Sequence, residues 1–315
     1  MEAIAAEGLT KVYKALGKTR GRSLDGLDLT VGENEVFGFL GRNGAGKTTT
    51  IKLLCGLLKP TGGTARIFGD DIRTRQARRH IGYLPEQPYF YEYLTPRETL
   101  DFYGRLRGQT PKERQYGWDR LSGLLDLRDI ANQRVKGFSK GMRQRLGFAV
   151  ALVGDPKLLI LDEPMSGLDP VGRHNIRELI LRCRDERKTI FFSSHVLGDV
   201  EVVCDRIGIL IKGRLTQQGR VADLLSSHLH QVEVIAANVS EALFQSLAGR
   251  AEKHRQFEGR HFFTFASTES ANDAVRQIQA SGGSLLEFTP MKARLEDYFM
   301  QEQERAERAV RETVA

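Results

Sequence analysis

Cysteine is scarce in this 315-residue chain: Cys55, Cys183 and Cys204 stand far apart, with no CxxC spacing. That excludes a disulfide framework and argues against a thiolate zinc site; the three are expected as small buried hydrophobes in a reducing compartment. Long apolar runs are lacking too. No window approaches the roughly 18 consecutive apolar residues of a membrane-crossing helix. The opening MEAIAAEGLTKVY has no basic segment followed by an apolar stretch, so no export leader is expected, and any membrane role would run through a partner. Internal repeats and low-complexity segments are absent. A net charge of +7 permits an anionic partner such as nucleic acid or lipid headgroups. The basic residues are scattered among acids, however, apart from IRTRQARRH (Ile72 to His80), which reads as a solvated face. With 40% hydrophobic and 28% charged residues the composition is globular, and the length suffices for one large domain and a smaller one.

What the chain does have is the run GRNGAGKTTT, from Gly41 to Thr50. Gly41, Gly44 and Gly46 are expected to let the backbone turn tightly with φ > 0, so that N–H groups point inward at phosphate oxygens. The apolar stretch Val36 to Leu40 reads as a buried parallel strand feeding this loop. TTTIKLLCGLL reads as the helix leaving it, with its positive end facing the anion. Lys47 is placed to reach the β and γ phosphates and the Thr48 hydroxyl to ligate Mg²⁺, while Asn43, Ala45 and Thr49 complete the loop. By itself the loop leaves kinases, GTPases and many ATPases open.

Upstream, residues 1 to about 35 mix short alternating strands with turns, as in a small antiparallel β layer. The stretch from about Leu94 to Gly154 is helical in pattern, opening on Thr95 as N-cap with Pro96 at N1, and looks like a helical insertion. KLLILDEP and TIFFSSH are apolar runs ending in polar residues, typical of central parallel strands whose C-terminal edges carry ligand chemistry. In LLILDEP, Asp162 is placed to hold Mg²⁺ and Glu163 to polarise the water that attacks the γ-phosphate. From residue 221 the texture changes. A linker at 221–229 precedes strand, helix, strand, strand, helix, strand over 230–290, the βαββαβ order of a ferredoxin-like α+β accessory domain, and a charged helical tail occupies 291–315.

The ordered set GRNGAGKTT, GYLPEQP, FSKGMRQRL, LLILDEP, SGLD and SSH resembles the ATP-binding subunit of an ATP-binding cassette (ABC) transporter, over residues 1 to about 220. The resemblance implies an α/β P-loop NTPase of the ABC type, with a RecA-like core, an antiparallel β layer and a helical insertion. It assigns Tyr13 to stacking on adenine. Gln87 would sense Mg²⁺ and the attacking water, and His195 would contact the γ-phosphate and orient Glu163. Ser139 reads as the N-cap of the helix through GMRQRLGFAVALV. In the family, this helix end, with Gly141, meets the γ-phosphate held by a second subunit, and Asp169 lies across the same seam. Two ATPs would thus be buried in a head-to-tail homodimer. Lys140 and Met142 depart from the commoner LSGGQ pattern. FSKGM, LPEQPYFYEYLT and LEDYF are similar to bacterial drug, lipid and polysaccharide exporters.

The function implied is the ATPase of an exporter at the cytoplasmic face of a bacterial membrane, docking on separate membrane permease subunits. Tyr89, Phe90, Tyr91 and Tyr93 are candidates to receive them, and no nucleic acid is expected as a partner. The alternative is a soluble ABC ATPase acting on nucleic acid or ribosomes, consistent with the charge but disfavoured by the single cassette. A regulatory ATP-binding module without turnover is disfavoured by Glu163.

Overall fold

The computed structural model describes residues 2–15, 18–226, 231–290, 295–296, 298–300, 302–303 and 305. Two compact units divide the chain: Met1–Val221 with Glu302–Ala315, and Ala222–Gln301.

The first unit begins with β1 (Glu2–Ala15), β2 (Lys18–Gly32), β3 (Val36–Leu40), α1 (Lys47–Leu54), β4 (Gly62–Ile67), β5 (Asp70–Asp71), α2 (Arg75–Arg79) and β6 (Ile81–Leu84). It continues through α3 (Pro96–Leu106), α4 (Pro111–Leu124), α5 (Lys140–Leu152), β7 (Leu158–Leu161), α6 (Pro170–Asp185), β8 (Thr189–Ser194), α7 (Leu197–Val203), β9 (Arg206–Ile211) and β10 (Arg214–Arg220). A sheet in the order β10-β9-β3-β8-β7-β6 forms its centre, parallel throughout except for β10. Strands β3, β7 and β8 are buried along their whole length, which is why they read as continuous apolar runs. Phe191 packs against both Phe37 (5.8 Å between centroids) and Phe39 (5.2 Å). Each such ring, fully withdrawn from water, contributes roughly 1.5–3 kcal/mol.

The N-terminal layer is the antiparallel sheet β2-β1-β4-β5. Two long strands of 14 and 15 residues stand where short ones are expected. Gly8 and Gly26 have φ of 55° and 65° yet sit within strands, where the sequence predicts turns between shorter strands. The register shifts between Ala6 and Leu9, so these residues make irregularities rather than chain reversals. Helix α3 starts as expected: Thr95 accepts from Glu98 N, Glu98 reaches back, and Pro96 is at N1. Arg73, Arg75, Arg78 and Arg79 are exposed, as a solvated basic face requires.

The second unit holds α8 (Val221–Ser226, starting at the boundary), β11 (Val232–Ala237), α9 (Glu241–Ala248), β12 (Lys253–Phe257), β13 (Arg260–Phe265), α10 (Thr268–Ala280) and β14 (Ser284–Pro290). Its antiparallel sheet runs β12-β13-β11-β14, a ferredoxin-like arrangement of βαββαβ. Alternate residues of β11 and β13, among them Val234, Phe263 and Phe265, form the core with Ala274 and Ile278 of α10. The first part of the expected linker is α8; residues 227–230 and most of the tail lie outside the described residues.

Candidate functional site

The loop between β3 and α1 arrives at the C-terminal end of a central parallel strand, where open α/β sheets place their ligands. Gly44 and Gly46 carry φ of 83° and 114°. A Cβ on Gly46 would stand 2.5 Å from Ser23 O, so both conformation and space demand glycine there. Gly41 differs from expectation. Its φ is not positive, and its constraint is close packing, since a Cβ would lie 2.7 Å from Leu210 O. The first N–H groups of α1 have no carbonyl one turn back to bond, which leaves them directed at whatever occupies the loop.

Lys47 is buried and donates to Gly41 O at 2.6 Å, with its Nζ 3.2 Å from Glu163 Oε1. Glu163 Oε2 lies 2.7 Å from His195 Nδ1. A single carboxylate therefore bridges the loop cation and the histidine after β8. Glu163 also has φ of 48°, a left-handed backbone that costs a non-glycine residue roughly 1–3 kcal/mol and tends to persist where function needs it. Its N–H donates to Ser193 Oγ (2.9 Å), and the same hydroxyl donates to Asp162 Oδ1 (2.7 Å). Thr48 Oγ1 stands 3.4 Å from that oxygen. Behind the site, burial pushes the Cys55 thiol and the Tyr83 hydroxyl well above their usual pKa values, and the Asp162 carboxylate adds to both. Both groups thus stay neutral beside it. Cys183 is likewise pushed up to about 12 by burial. All three cysteines are free thiols, two buried and Cys204 partly so.

A cavity of about 490 Å³ gathers Asn43, Gly44, Gly46, Lys47, Thr48, Thr49, Glu163 and His195, with Asp162 and Ser193 behind its lining. Ser23, Arg42, Glu86 and Ser166 share the lining without being singled out by sequence. Ser193, which ties the two acids together, was legible only as the first serine of SSH.

The other expected residues lie elsewhere. Gln87 is exposed and does not line the cavity; its neighbour Glu86 does. Tyr13, on β1, is 40% exposed, with Lys11 Nζ 5.5 Å from its ring. Ser139 is the exposed N-cap of α5, accepting from Met142 N, and Gly141 opens that helix. Asp169 caps α6 by accepting from Gly172 N at 2.8 Å. Of the four aromatic candidates for a partner surface, Tyr89, Tyr91 and Tyr93 are exposed, whereas Phe90 is buried in the core and unavailable.

A phosphate loop on a central parallel strand, with an acid pair and a histidine at the ends of the adjoining strands, defines a P-loop nucleotide-hydrolysing fold. Comparison with known proteins narrows the class. The family model for the ABC transporter matches residues 24–166. An uncharacterized ABC transporter ATP-binding protein of Synechocystis is 40% identical over 285 residues, 89% of this chain and 78% of that protein. The bacitracin transport ATP-binding protein BcrA of Bacillus licheniformis is 42% identical over 218 residues, 68% of this chain and 69% of its own length. Among solved structures, an ATP binding subunit of an ABC transporter matches with a TM-score of 0.64 at 31% identity, over 71% of this chain and 92% of its own. An ATP-binding cassette solved as a dimer after hydrolysis, with ADP and Pi, matches with a TM-score of 0.64 at 23% identity, over 69% and 98%. That last likeness speaks for the fold alone. The chain belongs to the ABC transporter family, as an ATP-binding subunit and an ATPase of that family.

Proposed function

We propose that this subunit hydrolyses ATP as a head-to-tail homodimer and thereby drives export through separate integral membrane subunits at the cytoplasmic face of a bacterial membrane. The observation that carries the reading is Glu163, held between Lys47 at 3.2 Å and His195 at 2.7 Å in the mouth of the phosphate cavity. A triphosphate entering the loop competes for the Lys47 ammonium, which frees Oε1 of Glu163 to accept the proton of an attacking water. His195 holds the other carboxylate oxygen and so aims the base. Thr48 and Asp162 offer a hard oxygen set that suits Mg²⁺, with the phosphates and water completing its shell. When bound there, Mg²⁺ would offset charge on the phosphate oxygens.

Tyr13, exposed on β1, is assigned to the adenine face, and Gln87, three residues past the end of β6, to reporting nucleotide. Ser139 and Gly141 are assigned to the γ-phosphate held by a second copy, with Asp169 at the seam; in one chain they contribute nothing to the cavity lining. Only a closed dimer brings both sets of groups to one phosphate, which is the differential affinity that lets ATP shift the equilibrium. No helix among the described residues is long and apolar enough to cross a membrane, so passage is assigned to other subunits. The likeness to a bacitracin transport ATP-binding protein favours transport as the work this ATPase drives.

Glu163→Gln tests the base assignment. Steady-state turnover should fall by roughly 10²-fold or more, with ATP binding and ATP-dependent dimers retained. Turnover close to that of the parent would refute Glu163 as the base.

A further inference from the structure

Ser139 caps helix α5, and the chain just before it is stapled to a segment some forty residues earlier. Lys136 N donates to Glu92 O at 3.0 Å and Val135 N to Leu94 O at 2.9 Å. From the first turn of α5, Arg143 Nη2 donates to Glu92 Oε1 at 3.1 Å, and its Nε donates to Phe138 O at 3.4 Å. Residues 92–94 are therefore held at three points to the approach and first turn of one rigid helix. The ion pair is half in solvent, with the side chains 28% and 51% exposed, and so contributes little to stability. What it does determine is alignment.

The stapled segment holds Tyr93, and Tyr91 directly precedes it; both are exposed. The ring of Tyr91 lies 5.8 Å from that of Tyr93 and edge-on to Phe102 at 5.6 Å. These three line a groove of about 760 Å³ together with Trp118, the single tryptophan of the chain. Arg97 stands 5.8 Å over the Trp118 ring. One end of this assembly is Ser139, and the other is an aromatic groove with a built-in fluorophore.

We propose that the Glu92–Arg143 pair is a positioning link that carries displacement of the Ser139 end of α5 to the groove bounded by Tyr91, Tyr93 and Trp118. The link rests on the dimer reading above and adds to it a route that does not pass through Gln87. When a second copy's bound ATP draws Ser139 to the seam, α5 moves as a body, Arg143 pulls Glu92, and the tyrosine turn follows. Neither residue of the pair lines the phosphate cavity, so its effect on nucleotide binding is indirect.

The test uses the full chain with Glu163→Gln as parent, so that ATP is held without turnover. Dimer formation is followed by analytical ultracentrifugation and Trp118 emission in parallel. The parent should dimerise with ATP and change its emission. Adding Glu92→Gln or Arg143→Gln should leave ATP-dependent dimers within about twofold but reduce the emission change by at least about twofold, because the backbone bonds alone hold less firmly. The charge-reversed pair Glu92→Arg with Arg143→Glu should restore most of the change. An unaltered emission change in both single variants would overturn the link, as would a reversed pair no better than either single variant, or a dimer in which Trp118 does not respond. If the parent fails to dimerise at all, the dimer reading falls and takes the link with it, a failure told apart by the sedimentation data.

Discussion

Two halves of the proposed catalytic apparatus stand in contrast within one chain. The loop half is assembled: Lys47, Glu163, His195, Ser193 and Asp162 form a continuous chain of contacts between 2.7 and 3.2 Å. The helix half is not. Ser139 and Asp169 spend their side-chain oxygens on capping α5 and α6, and neither they nor Gly141 lines that cavity. A half-site whose groups already bond one another can bind nucleotide alone. A half-site made of helix ends has its anion-binding capacity built in but nothing in the same chain to spend it on. The contrast teaches where ATP binding and ATP turnover should separate under mutation.

The sharpest way to break the contrast is Gly141→Asp. A Cβ at Gly141 would meet nothing within 4 Å, and an acid in the first turn of α5 suits the helix dipole, so the monomer should fold and melt as the parent does. In a closed dimer the same carboxylate would face a phosphate. Turnover should then fall by roughly 10²-fold or more, as like charges brought together in an interface require, while monomer ATP affinity stays unchanged. Lys47→Ala acts on the other half. It should weaken ATP binding by roughly 10–100-fold, the usual worth of hydrogen bonds to a charged group, as measured by isothermal titration. The smallest effect is expected at Asp169. Asp169→Ala removes a cap and should cost the monomer about 1 kcal/mol in denaturant titration. Asp169→Asn keeps a capping oxygen, so any loss of turnover that persists in Asn reports on the seam rather than on the cap.

Much of the loop half was readable before any coordinates because its constraints are local in sequence. A glycine loop, a lysine and a threonine within ten residues encode their own geometry, and a buried strand ending in Asp-Glu announces itself by its apolar run. What escaped was produced by strands meeting side by side. Ser193 looks like an ordinary serine until β7 and β8 pair in parallel and bring its hydroxyl between Asp162 and Glu163. Gly41 carried the expected residue for a different reason, close packing against Leu210 rather than positive φ. Phe90 shows the opposite limit. In a run of four aromatic residues over five positions, composition cannot tell the one that enters the core from the three that face water. In the α+β unit the local signals are the alternation of β11 and β13 and the serines, Ser240 and Ser267, that cap α9 and α10.

Mixing two inactive variants tests the central claim, that a working site is built from the loop of one copy and the helix end of another. Lys47→Ala and Gly141→Asp chains should each hydrolyse ATP poorly alone. Combined in equal amounts, half of the dimers pair one with the other, and each such dimer has one intact composite site, so turnover should recover to about a quarter of the parent rate. A mixture no more active than the average of the two variants measured separately would contradict the account.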